Sequence, residues 1–179
     1  MKTFIINIFI VSSIILLTSC FGALDRAVGK SSIGQKANAK VQAKIIEDGK
    51  QIPPNFSKEK TVLLIVEQNT KYSGYKKYMT GLKKIFEENY FGAYVFVPED
   101  EFKAAKIYQN TAKYRYIFGL SGFYSPGRGT TTSNTGSNSS YNCIMYDRID
   151  DKTYNSVSES FYGPLITGYL KKLEEIRMK

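Results

Sequence analysis

The chain of 179 residues contains no histidine and no tryptophan, and only two cysteines, Cys20 and Cys143. Without histidine there is no Ser-His-Asp triad, no histidine metal site and no imidazole switch near neutral pH. There is also no concentrated charge of one sign. The formal charge of +9, from 25 basic and 16 acidic residues, is spread along the sequence without a basic tail or block. A dispersed excess reads as solubility and mild attraction to anionic surfaces, not as a nucleic-acid footprint. What is present is core material. A hydrophobic fraction of 42% argues against wholesale disorder, and 14 Tyr with 11 Phe supply bulk for one domain of ordinary size.

No apolar run is long enough to cross a bilayer. The longest, residues 4–17, follows Lys2 and is interrupted by Asn7, Ser12 and Ser13. As a helix it reaches about 21 Å, against a hydrocarbon core of roughly 30 Å. It therefore reads as the apolar region of an export signal. Leu17, Thr18, Ser19 and Cys20 come next. A branched apolar residue, two small residues and a cysteine resemble the lipobox of bacterial lipoproteins. The resemblance implies cleavage between Ser19 and Cys20, removal of residues 1–19, and acyl chains on the thiol and new amino group of Cys20. The partner is then a lipid bilayer. Each buried methylene contributes about 0.8 kcal/mol, so several chains hold firmly. By the same resemblance, Phe21 in place of the Asp that retains lipoproteins at the inner membrane implies an outer-membrane destination. Read without the resemblance, this is an ordinary export signal, with Cys20 available to pair with Cys143.

Residues 20–52 are small, polar and basic and read as a tether or linker, with Gly22, Gly29 and Gly34 early and Pro53 and Pro54 closing the stretch. Within it, residues 36–48 suit a short helix or a strand equally: Val41, Ala43 and Ile45 alternate with polar neighbours, yet Ala and Lys favour a helix. Residues 53–179 read as a single α/β domain.

Residues 61–66 are a β-branched apolar run, the mark of a strand buried on both faces. An amphipathic helix follows from Ser73 to about Tyr90, with Tyr75, Tyr78, Met79, Leu82, Ile85 and Phe86 on one face and lysines and glutamates on the other. Residues 93–97 form the next strand, completing a β-α-β unit. A short acidic-started helix is expected from Pro98, and a strand over 113–118. Residues 121–140 are almost entirely Gly, Ser, Thr and Asn and read as a flexible loop. A hairpin over 141–157 and a final amphipathic helix, with Ser160 as its cap, complete a small mixed sheet of about five strands with two main helices.

The chemistry-bearing residues are few. Gly119, Leu120, Ser121, Gly122 and Phe123 approach a nucleophile elbow, but Phe stands where the pattern needs glycine, so Ser121 reads as a loop start. Gly127, Arg128 and Gly129 lack the ending of a phosphate loop, although amides beside Arg128 can cradle an anion. Asp147, Asp150 and Asp151 do not follow calcium-loop spacing and read as hairpin-turn acids. Two facing carboxylates would suffice to cleave a glycosidic bond. Cys143 reads as a small buried hydrophobe. Tyrosines beside cations suit sugar rings or a partner surface, which marks Tyr72, Tyr75, Arg115 and Arg128 as candidate ligand or partner contacts.

No catalytic residue, metal ligand or cofactor site is assigned. The element order resembles that of small envelope-assembly lipoprotein domains that act as non-catalytic accessory subunits. That resemblance implies an adaptor bound to an envelope protein partner. The alternatives are an envelope or extracellular glycan-binding lipoprotein and, third, a carboxylate-based hydrolase.

Overall fold

The computed structural model describes residues 32–45, 50–54, 56–58, 60–70, 73–121 and 140–179. The export signal with Ser19, Cys20, Tyr72, Arg128 and residues 122–139 of the long loop lie outside them. Five strands form one mixed sheet: β1 (Leu63–Glu67), β2 (Tyr94–Pro98), β3 (Tyr116–Leu120), β4 (Cys143–Asp147) and β5 (Lys152–Asn155), in the order β2-β1-β3-β4-β5. β1 is parallel to β2 and β3, whereas β3, β4 and β5 are antiparallel in turn. The helices are α1 (Ser32–Lys44), α2 (Ser73–Asn89), α3 (Glu99–Ala104) and α4 (Tyr162–Arg177), with short 3-10 turns at Phe56–Lys58 and Lys106–Gln109. This is the expected α/β fold with a small mixed sheet.

Alternation along the strands divides the core into two layers. Leu63 and Ile65 of β1, Tyr116, Phe118 and Leu120 of β3, and Cys143 and Met145 of β4 pack under α1, α2 and α4. Leu64, Val66, Val97 and Ile117 face the other way and meet Phe102 of α3, Tyr108 and Tyr114. The chain steps from β1 to β2 in one direction and from β2 to β3 in the other. Crossovers of one hand then place α2 and α3 on opposite faces.

Within the stretch read as a linker, α1 takes the helical alternative open for residues 36–48, and the described residues 32–45 and 50–52 join the domain. Val41, Ile45 and Ile52 from that stretch are fully buried in the main core. α1 runs parallel to α4: Asn38, oriented with its amide nitrogen inward, donates to Pro164 O at 2.6 Å, and Val41 lies over Gly168. A Cβ on Gly168 would stand 2.8 Å from Asn38 O and 2.9 Å from Val41 Cβ, so only glycine permits this approach. Tyr169 Oη then donates to Gln51 O at 3.0 Å and fastens the segment after α1.

The expected cap of the last helix is also corrected. Phe161, not Ser160, occupies the cap position of α4, and no side chain caps it. Pro164 sits in the first turn, where its missing N–H is not needed. Among the described residues, no helix is long and apolar enough to cross a membrane.

Candidate functional site

The two parallel crossovers depart to opposite sides of β1, so the C-terminal ends of β1 and β3 flank a topological switch point. Ligands of open α/β sheets bind in the crevice at such a place. Four groups of residues build this edge: the segment after β1, the first turn of α3, the start of α2, and the neck of the long loop.

The β1–α2 segment is held by its own amides. Gln68 N donates to Tyr75 Oη at 2.7 Å, and Asn69 N donates to Glu99 Oε2 at 3.2 Å. Lys103 beside Glu99, at 2.7 Å, together with the Asn69 amide holds that carboxyl below its ordinary range. The acids at the start of α3 therefore do more than favour a helix N-terminus. They tie the β1–α2 segment to the β2–α3 junction.

Across the edge runs a row of tyrosines. Ring centroids are 5.9 Å apart for Tyr75 and Tyr78, 5.7 Å for Tyr78 and Tyr162, and 5.8 Å for Tyr162 and Tyr141. The latter two contacts are edge-on, a favourable geometry for aromatic pairs. Tyr75 and Tyr78 are buried and Tyr141 and Tyr162 are half-buried. Burial pushes the phenol of Tyr78 well above its usual value, so it stays protonated. Tyr75 was legible as a candidate from its neighbours in sequence. Tyr141 and Tyr162 were not, because only the antiparallel β3–β4 pairing and the docking of α4 bring them to this edge.

Where β3 ends and β4 begins, the chain is closed by a fixed neck. Ser121 N donates to Asn142 O at 2.9 Å, and Asn142 N donates to Ser121 Oγ at 2.7 Å. Tyr141 and Glu159 exchange backbone bonds of 2.8 and 3.0 Å just outside it. Ser121 thus serves as a strand-end clamp, in keeping with its reading as a loop start.

Arg115 lies elsewhere. It precedes β3 at the N-terminal edge and does not meet Tyr75. Its Nη2 is 2.9 Å from both Asp147 Oδ2 and Asp150 Oδ2, and its guanidinium stands over the Tyr116 ring at 5.3 Å. Burial tends to raise the carboxyl of Asp147, but Arg115 and the amides of Ile149 and Asp150 outweigh it, and the net direction is down. Asp151 accepts from Tyr146 Oη at 2.6 Å and takes a φ of 49°, a left-handed turn conformation that Asp tolerates. These are hairpin-turn acids. Among the described residues no cluster of His, Cys, Asp or Glu could hold a metal ion.

Cys143 is fully buried at the start of β4, its thiol is free, and burial pushes its pKa far up. No protein-family model matches the chain, and comparison with curated proteins and with solved structures likewise finds no significant match.

Proposed function

We propose that the chain is a lipoprotein held in the outer membrane by acyl chains on Cys20, and that its α/β domain serves as a non-catalytic binding or adaptor subunit of a cell-envelope complex. The observation that carries this reading is the distribution of exposed apolar side chains. Phe91 and Met178, at 72% and 71% exposure, flank the C-terminal end of α4, and Ile107 and Ile149 lie beside the Arg148 bridge to Tyr108 O. Both pairs belong to the N-terminal edge of the sheet. α1, through which the chain arrives from Cys20, starts at the opposite edge. Of the five large apolar side chains exposed among the described residues, four thus lie at the edge away from the start of α1, and the fifth, Phe161, caps the start of α4 at the other edge; a cluster of four suits a protein partner. The buried thiol of Cys143 fits the same picture, since a disulfide with Cys20 would require opening the core.

The test is extraction in mild detergent followed by purification. An envelope protein should co-purify with the wild-type chain and be lost from a Phe91→Ser, Ile149→Ser variant; a monodisperse lone monomer in both overturns the adaptor. The glycan reading is favoured by a separate observation, the tyrosine row at the switch point. It predicts binding of peptidoglycan or lipopolysaccharide that Tyr141→Ala and Tyr162→Ala abolish. A carboxylate hydrolase needs an acid kept protonated near neutral pH. Glu99, Asp147 and Glu174 are each displaced toward the ionised form, so they lend that third reading no support.

A further inference from the structure

The outer face of α1 is a stripe of lysines. Lys36, Lys40 and Lys44 recur at a spacing of one helical turn and are all exposed, while Val41 and the following Ile45 turn inward onto α4. The helix contains no acid at all. Like charges four residues apart weaken a helix, as opposite charges three or four residues apart support one. The other two long helices obey this rule. Lys84 pairs with Glu88 in α2, and Lys172 with Glu175 and Arg177 with Glu174 in α4. None of the ion pairs among the described residues involves Lys36, Lys40 or Lys44. α1 thus breaks a local rule that its neighbours keep, a pattern expected where a surface serves something besides stability.

α1 is also the described element nearest in sequence to Cys20. Residues 21–31 extend at most about 40 Å even when fully drawn out. We infer that this stripe lies on the anionic phospholipid headgroups of the membrane that holds Cys20, so that the domain rests on its α1 flank. The inference rests on the lipoprotein reading for the nearness of the bilayer. Charge complementarity and tether length select the occupant. Each lysine near an anionic surface contributes about 1 kcal/mol, or roughly fivefold in binding, and the attraction fades beyond a Debye length of about 8 Å.

The experiment places the full-length membrane-derived protein on vesicles of zwitterionic lipid, with or without phosphatidylglycerol. Each lysine is then scored for labelling by a water-soluble amine reagent. Lys36, Lys40 and Lys44 should be shielded only on the anionic vesicles and exposed again by salt, while Lys84 and Lys171 label equally on both. Equal labelling of the stripe on both vesicles overturns the inference. A second measurement separates its failure from failure of the anchor. The Cys20→Ala chain, which cannot be acylated, should still sediment with phosphatidylglycerol vesicles at low salt, and a Lys36→Gln, Lys40→Gln, Lys44→Gln variant of it should bind roughly a hundredfold more weakly. Equal sedimentation of the two unacylated chains overturns the stripe, whatever mass spectrometry reports about Cys20.

Discussion

Arg115 grips the buried carboxylate of Asp147 from the side: its Nε lies 3.0 Å from both Oδ1 and Oδ2. The same carboxylate accepts the amides of Ile149 at 3.0 Å and Asp150 at 3.3 Å, so one acid closes the β4–β5 turn and joins it to the start of β3. Removing the charge of Asp147 leaves Arg115 paired with Asp150, so the loss is that of hydrogen bonds to a charged group, about 1.5–3 kcal/mol. Asp147→Asn should lower the urea midpoint accordingly, and an unchanged midpoint would show that the pair contributes nothing net.

The acid limb of stability should carry the same signature. The folded carboxyl of Asp147 has a lowered pKa, so its contribution is complete above the usual aspartate value near 4. It is lost as pH falls through the lower folded value. Glu99 and Glu174 shift in the same direction and add to the loss. Titration from neutral to acid pH should therefore show a shallower decline for Asp147→Asn than for the wild type.

Two glycines should respond oppositely to the same substitution. At Gly81 in α2 an added Cβ meets nothing within 4 Å. Gly81→Ala should stabilise by about 0.5–1 kcal/mol through helix propensity. At Gly168 the added Cβ meets the backbone of α1, and overpacking costs about 1–3 kcal/mol. Thermal unfolding checks both signs, and limited proteolysis after α1 should accelerate only for Gly168→Ala.

Cys143 should be silent toward thiol reagents in the folded protein. Its sulfur is buried and held in the neutral form, whereas the thiolate is the reactive species. Alkylation of Cys143 should track global unfolding in denaturant. Rapid labelling under native conditions would contradict the core placement.

For the anchor, Cys20→Ala should yield an uncleaved or soluble product. Acylation that persists in the membrane fraction of this variant would refute the lipobox reading.

The long amphipathic elements were legible because their pattern is local. Tyr75, Tyr78, Met79, Leu82 and Phe86 recur at helical spacing, and α2 spans the expected residues to within one position. β3 lies two to three residues later than its alternating pattern suggested, since Gly119 and Leu120 continue the strand by pairing with Ile144 and Cys143. α1 was ambiguous for a physical reason. Its inner face carries only Val41 as a large apolar side chain among residues 34–44, beside Gly34 and the polar Asn38, and what decides its conformation is the groove opened by Gly168, more than a hundred residues away. The candidate site was legible only in Tyr75. Arg115, chosen for its aromatic neighbours, proves to be fastened at the other end of the sheet.

The Ser121–Asn142 neck has a consequence for how this domain can change. Because that pair of backbone and side-chain bonds closes the sheet before the chain departs, strand register is indifferent to what lies between. Doubling the length of a loop adds only about 0.6 kcal/mol of closure cost. The register of β3 against β4 is therefore set at the Ser121–Asn142 pair itself, whatever length of chain is joined through it.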